Sequence, residues 1–425
     1  MKIILANRYL YPDESATSRM TSSLGFALAR KGFTVQGLAS RHFHNDRGRR
    51  LSARETANGI TIDRLATSGF GRDRLWGRAL DYLTFHLSAA LWVLRHAKPG
   101  DVCVVCTDPP LLSVTLALPL RLKRVRMVNW LHDLFPEVAL ELSVVRSGWA
   151  GRVALALRDW SLRRAWCNVA PIGQMARFLE RRRIPAESIA VVHHWSDGEA
   201  IRPVPRDANP LRRDWKLGDA FIVGYSGNFG RAHEFDTILA AAARLKHRDD
   251  IRFVFIGGGH KRAAIEAEIQ AQQLDNVILK PLQPRELLAE TLGLADVHLV
   301  SLLPPLEPFV IPSKFYGILA AGRPTLFVGD LDGEIGGILR QHQCGYAVAI
   351  GDSEALARHI LELRDSPQRT GELAANARQL FETDYTEGRG GREWTKLLSR
   401  LLPSATSDAS RRAEAAIPAD ERGRP

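Results

Sequence analysis

Three stretches in the second half of the chain set glycine, a cation and the start of a helix pattern side by side. They are "YSGNFGRAHEFDTIL" (225–239), "IGGGHKRA" (256–263) and "PSKFYGILAAGRPTLFV" (312–328). In the first, Gly227 and Gly230 let backbone come close to a ligand, Asn228 can donate hydrogen bonds, and Arg231 can pair with an anion. In the second, three glycines precede Lys261. In the third, Ser313 is placed to cap a helix and Lys314 falls in its first turn. Free backbone N–H groups and the helix dipole both favour an anion at such places. The same dipole disfavours a lysine there unless an anion binds beside it. The chemistry these loops suit is the holding of a diphosphate. None fits G-x-x-x-x-G-K-[ST], and none is a G-x-G-x-x-G directly after the first strand pattern, so neither the P-loop nor the dehydrogenase fingerprint is present.

The elements that position these loops alternate between strand and helix patterns almost from end to end. In the first half, residues 2–7, 33–39, 101–106, 126–131, 167–172 and 189–194 read as strands, separated by amphipathic helix patterns such as 18–30 and 80–95. Residues 195–215, rich in Pro, Asp and Arg, read as an interdomain linker. A second alternation follows, with strands at 221–227, 252–259, 276–280, 296–302, 324–328 and 345–350. From 355 to 402 the chain reads as helices, and the polar residues 403–425 read as a disordered tail. The expected fold is α/β, with two doubly wound, Rossmann-like domains facing across a cleft. The first spans 1–200 and the second 201–375. Helices at 376–402 are expected to cross back to the first. A ligand then belongs in the cleft, at the carboxyl ends of the strands.

The chain has 425 residues, enough for two cores. Its net charge of +11 is lopsided. Residues 1–200 hold 29 Lys and Arg against 17 Asp and Glu, a net of +12, so the rest of the chain stands at −1. One-sided basic charge points to an anionic partner. The basic runs at 121–126, 47–50 and 181–183, with the Trp- and Leu-rich pattern near 76–97, suit an anionic membrane surface. Aromatic residues are not interleaved with the charges as base stacking requires, so nucleic acid is not expected. The four cysteines form no disulfide framework. Cys103 and Cys106 make a C-x-x-C inside a strand pattern, where they read as core residues on opposite faces. The N-terminal residues read as a first strand and not as a leader, and no stretch of about 18 uncharged apolar residues occurs. A cytoplasmic protein, peripheral at the inner face of the cell membrane, is expected.

Taken in order, "GYSGNFGRAHEFDTIL", "FVFIGGGHKR", "NVILKPLQPRELLAETLGLADVHLVSL", "PSKFYGILAAGRPTLFV" and "CGYAV" resemble family 4 glycosyltransferases of the GT-B fold. They are most like the subgroup of colanic acid, O-antigen and other exopolysaccharide assembly. In the first half "YLYPDESATSRMTSSLGFALARKGFTV", "TDPPLLS", "WLHDLFPEVA" and "VVHHWSDGEAI" occur in the matching order, so the resemblance covers about residues 1–400.

The resemblance implies a UDP-sugar donor in the second domain and an acceptor on the first, often a polyprenyl-diphosphate-linked sugar. It implies transfer with retention of anomeric configuration, no metal for catalysis and no cofactor. It places His132 against the donor sugar, with Asp133 and Glu137 orienting His132 or meeting the acceptor. Near "PDESATSRM", Asp13, Glu14, Ser15 and Arg19 are placed to approach the acceptor, with Ser18 as a helix cap. Backbone groups of Pro281, Leu282 and Gln283 are expected to meet uracil. The family's Arg and Lys that clamp the diphosphate fall on Asn228 and His233, so Arg231 and Lys314 are expected to take over. The second glutamate of the family's E-x7-E pair falls on Gly317 and the first near Phe309. Glu307 is the acid close by, and ribose recognition is left to Asp332, Glu334 or a backbone group. Two other readings stay open: a nucleotide-sugar 2-epimerase of the same fold, and a non-catalytic partner in a polysaccharide assembly complex.

Overall fold

A computed structural model of the chain describes residues 1–44, 46, 48–71, 75–144 and 148–401. Arg47 of the basic run 47–50 and the tail at 403–425 lie outside the described residues.

The first domain is built on eight strands: β1 (Ile3–Ala6), β2 (Val35–Ser40), β3 (Arg54–Ala57), β4 (Ile60–Leu65), β5 (Val102–Cys106), β6 (Arg126–Trp130), β7 (Cys167–Ala170) and β8 (Ile189–Val191). Their order is β3-β4-β2-β1-β5-β6-β7-β8, parallel throughout except for the β3–β4 pair. The helices are α1 (Ala16–Arg30), α2 (Leu75–His96), α3 (Leu112–Leu122), α4 (Glu137–Glu141), α5 (Trp149–Arg164) and α6 (Gly173–Arg181). The strands are near-continuous apolar runs because helices cover both faces of the sheet. Cys103 and Cys106 are buried free thiols in apolar clusters on opposite faces, as their spacing predicts, and burial pushes the Cys106 thiol up to about 12. The antiparallel edge hairpin was not anticipated. Its turn is Asn58–Gly59, both with positive φ (48° and 82°), the two-residue connection that this dipeptide favours.

After a short helix, α7 (Pro210–Asp214), six parallel strands make the second domain: β9 (Phe221–Asn228), β10 (Ile251–Gly258), β11 (Val277–Lys280), β12 (Val297–Ser301), β13 (Thr325–Val328) and β14 (Gly345–Val348). They run β11-β10-β9-β12-β13-β14, with the reversal of direction at β9 and β12. The helices are α8 (Asp236–Arg244), α9 (Arg262–Gln272), α10 (Leu288–Gly293), α11 (Lys314–Ala320), α12 (Glu334–His342), α13 (Ser353–Asp365), α14 (Pro367–Asp384) and α15 (Glu387–Ser399). Each strand read from the sequence is present to within two or three residues at its ends. Among the described residues no helix is long and apolar enough to cross a membrane.

One apolar cluster is shared by the two domains. Leu134, Ile172 and Met175 of the first pack with Leu306, Phe309 and Phe315 of the second. The Leu134 N–H donates to the Phe309 carbonyl at 2.9 Å. The last helix among the described residues, α15, lies on α1 of the first domain. Trp394 of α15 is fully buried, 4.8 Å from the Trp130 ring, and Trp195 stacks on Trp130 at 5.7 Å. Removing a buried Trp side chain typically costs about 3–5 kcal/mol. Trp394→Ala is therefore expected to lower the unfolding free energy by an amount in that range, seen as a lower urea midpoint, and Trp394→Phe by less. A midpoint equal to that of the parent protein contradicts the docking of α15 into the first core.

Candidate active site

The site is assembled where β9, β10 and β12 end. Gly227 and Gly257 sit opposite each other in the β9–β10 register. Both have positive φ (136° and 145°), and a Cβ on Gly257 would stand 2.0 Å from the Gly227 carbonyl oxygen. Only glycine allows that approach. Two backbone bonds then lace the loops together: Phe229 N–H to Gly258 O at 2.8 Å, and Lys261 N–H to Phe229 O at 2.9 Å. The Lys261 ammonium reaches across as well and donates to the His233 carbonyl at 2.7 Å. Gly227, Asn228, Gly230, Lys261 and His233 are thus one surface. Arg231 lies on its rim, exposed, with no hydrogen bond or ion pair among the described residues.

Lys314 closes this surface from the side. Its amine lies 3.8 Å from the centre of the Tyr225 ring and donates to the Tyr225 hydroxyl. It also stands against Gly227, where a Cβ would be 3.6 Å from the nitrogen. Tyr225 is itself held by Phe229, Phe235 and Phe255. No carboxylate pairs with Lys314 among the described residues, and loss of solvent around the amine holds it well below the usual lysine range. His233 shares this environment. Burial and then Lys314 depress its imidazole to about 3. Its Nδ1 lies 2.6 Å from the Ser301 carbonyl, so Nδ1 carries the proton and the ring is neutral. Ser313 is not the expected cap: its backbone is helical, its side chain makes no cap bond, and it is exposed.

On the facing domain, His132 follows β6 and is buried. Its N–H donates to Thr107 Oγ1 at 3.3 Å, and its Nδ1 lies 3.2 Å from Nε2 of His194. Both imidazoles are neutral. Burial and then the other histidine hold His132 far down, and burial and then His193 bring His194 to about 4. The outer nitrogens, His132 Nε2 and His194 Nδ1, are buried and have no partner among the described residues. A buried polar atom so left costs about 1–3 kcal/mol, a cost that a sugar hydroxyl can relieve. His194 also faces the ring of Tyr316, one residue after Phe315 on α11, at 6.3 Å. The histidine pair therefore touches the helix that carries Lys314. His194 was legible only as half of "VVHHW", a dipeptide with no role to assign from spacing.

The carboxylates fall differently from expectation. Asp133 reaches solvent at the strand end, and crowding by protein atoms and then by Asp108 raises it to about 6. Glu137 does not orient His132. It is buried in an ion pair with Arg158, which also binds Asp159 at 2.9 Å. Asp13 accepts from the N–H groups of Ser15 (2.8 Å) and His44 (2.6 Å), so it shapes the loop. Ser18 lies inside α1 and donates to the Asp13 carbonyl, which removes it as a cap. Arg19 does reach the cleft. Its guanidinium is lowered by burial and then by Arg285 of the second domain, with Glu14 opposing.

Glu307 is buried, accepts from the Glu334 N–H at 3.1 Å, and is raised by burial to about 7. Glu334 crosses the cleft and accepts from Gly173 N (3.3 Å) and Gln174 N (3.2 Å) at the start of α6. Asp332 is exposed and pairs with Arg340. Neither Glu334 nor Asp332 stands ready for a ribose. Gly317 is turned away from the site: a Cβ there would be 3.3 Å from Leu292 Cδ1 and 3.8 Å from Ile201 Cδ1. A side chain at 317 would press on Leu292 and Ile201, with Ser196 Oγ at 4.0 Å. In the loop after β11, Leu282 is 70% exposed, and Pro281 has no N–H to offer. The Pro281 carbonyl already accepts from Gln283 at 2.8 Å.

An unpaired amine in a poorly solvated place destabilises the folded state while it is charged. Lys314→Met keeps the stem and removes the charge. The variant is expected to be as stable as the parent or more so by about 1–3 kcal/mol near neutral pH. Because the folded-state value lies below the ordinary one of about 10.4, the penalty is full at low pH and disappears as pH rises through that value. Paired thermal melts from neutral to alkaline pH check this: the gap between variant and parent should shrink with pH, and a gap that widens contradicts the assignment.

Residues 15–195 match the family described as Glycosyl transferase 4-like domain, and residues 207–380 match Glycosyl transferases group 1. WbjE of Pseudomonas aeruginosa, a glycosyltransferase by name, is 27% identical over 328 residues, covering 74% of this chain and 78% of that protein. WcaI of Escherichia coli strain K12, named for glycosyl transfer in colanic acid biosynthesis, is 28% identical over 253 residues, covering 58% of this chain and 61% of its own. The structure of Anabaena HepE in complex with UDP and glucose superposes with a TM-score of 0.71 at 14% identity, over 94% of this chain and 99% of that one. Two parallel-sheet domains, glycine loops at the ends of β9 and β10, and two family matches in tandem agree: the chain belongs to the glycosyltransferases of the GT-B fold, a 4-like domain followed by a group 1 domain.

Proposed function

We propose that this enzyme moves a sugar from a UDP-sugar to a lipid-linked or saccharide acceptor, with retention of anomeric configuration, in exopolysaccharide or O-antigen assembly at the inner face of the cell membrane. The observation that carries the donor half is the Lys314 amine, which has no carboxylate partner among the described residues and faces the Gly227 loop. A nucleoside diphosphate supplies the missing anion. The UDP bound to HepE, which has the same fold, supports this choice, and the name of WcaI supports the polysaccharide context.

In this reading Gly227, Asn228 and Gly230 offer backbone and amide donors to the diphosphate. Lys314 and Arg231 neutralise the charge that grows as the sugar leaves, and Lys261 keeps the two loops in register. His132, with its unpartnered Nε2, meets a hydroxyl of the donor sugar, and His194 holds the ring. Asp133 and Arg19 stand on the acceptor side, where the excess basic charge of the first domain favours a diphosphate-linked sugar.

Transfer is tested by supplying a panel of UDP-sugars with a polyprenyl-diphosphate-linked sugar and reading the anomeric configuration of the product by NMR. Lys314→Ala is expected to keep the fold and to lower kcat/KM roughly a hundredfold or more. Near-normal turnover in that variant sinks the role of Lys314. An inverted product sinks retention, and conversion of UDP-GlcNAc to UDP-ManNAc without acceptor supports the epimerase instead.

A further inference from the structure

Helices α2, α3 and α5 lie side by side on one face of the first sheet and leave apolar stripes uncovered. On α2 the outward residues Trp76, Leu80, Leu83, Leu87, Leu91 and Leu94 recur every three or four positions, and Leu87 is 61% exposed. That stripe is about 27 Å long at 1.5 Å per residue. Leu122 of α3 (65% exposed) and Trp149 of α5 (75% exposed) extend it sideways, with Val153 and Leu157 following on α5. A contiguous apolar face of this kind marks an interaction site.

The charges around it decide the partner. The acids of the three helices are Asp81 and Asp159, both buried in ion pairs with arginines. Arg95, Arg121, Arg124, Arg152, Arg163 and Arg164 are exposed. A second copy of the chain docking on this face would set arginine against arginine, whereas a surface that is apolar inside and anionic at its edge matches both features. Between α3 and α5 lies a cavity of about 430 Å³, with Met127, Trp160 and Trp166 in its wall and Arg121, Arg124 and Arg164 at its rim. Trp76 and Trp149 stand where α2 and α5 begin, at the end of the sheet that carries the cleft.

We infer that this face docks on an anionic phospholipid bilayer, the α2 and α5 stripes entering the interface and the arginine rim between α3 and α5 taking a lipid phosphate. The inference builds on the proposed membrane-held acceptor and adds which surface meets the membrane and which lipid charge it selects. It sets the cleft beside the bilayer, where a lipid-linked sugar can enter.

Co-sedimentation of the full chain with phosphatidylcholine vesicles, with and without phosphatidylglycerol, tests it. Binding is expected only with phosphatidylglycerol and should weaken as salt is raised. The triple variant Arg121→Ser, Arg124→Ser, Arg164→Ser should lose roughly a hundredfold in partitioning. The pair Leu83→Asp, Leu87→Asp should also lose most binding. UDP binding by the same proteins, read by calorimetry, reports that the variants are folded. Equal binding to both vesicle types, or undiminished binding by the triple variant, overturns the inference. So does a dimer, seen by light scattering, that the leucine pair dissolves. Intact UDP binding by a parent protein that ignores both vesicles overturns the docking face and leaves the donor reading standing.

Discussion

The arrangement of the site depends on one unpaired amine. Lys314 holds its amine over Tyr225, among protein atoms, with no carboxylate partner among the described residues. Two opposite charges about 4 Å apart near a protein surface attract by about 4 kcal/mol. The folded protein lacks that term at Lys314, and a bound diphosphate would supply it. The surrounding residues make sense as supports for this vacancy of charge. Three phenylalanine rings fix Tyr225, paired glycines bring two loops to the same place, and His233 is kept neutral by burial and then by Lys314. Rigid donors aimed at a site of developing charge are the cheapest way to stabilise a leaving group, because nothing must reorganise when the charge appears.

The second constraint is the hold of one domain on the other. Glu334 of the second domain caps α6 of the first, an anion at a helix N-terminus. Phe309 packs on Phe178 at 4.9 Å, and α15 carries Trp394 back into the first core. The histidine pair meets Tyr316 across the same boundary. In the proposed reading the sugar-facing histidines belong to the first domain and the phosphate-facing loops to the second, and contacts that cross the cleft hold the two sets together.

Much of the fold was legible because parallel strands buried on both faces leave unbroken apolar runs, as in "IIL" at β1 and "VCVVC" at β5. The edge hairpin escaped notice because its outer strand, β3, is short, polar and largely exposed and β4 mixes polar with apolar residues, although Asn58–Gly59 was a usable turn signal. At the site, Lys314 was legible from its conflict with the helix dipole, and glycines from their place after strands. The partners were not. That Glu137 belongs to Arg158, that Glu334 belongs to α6 and that Gly317 faces Leu292 are facts of packing between segments more than 20 residues apart. Sequence periodicity says which face a residue occupies and nothing about what stands opposite.

The central claim is that Lys314 awaits an anion, and proton linkage reports it directly. Calorimetric titration with UDP at a pH of about 8, where a phosphate of pKa near 6 is fully ionised, can be run in buffers of different ionisation enthalpy. An anion beside Lys314 raises its depressed value, so binding should take up protons in the parent protein and none in Lys314→Met. UDP binding of equal affinity in both proteins, with no proton uptake in either, would contradict the account.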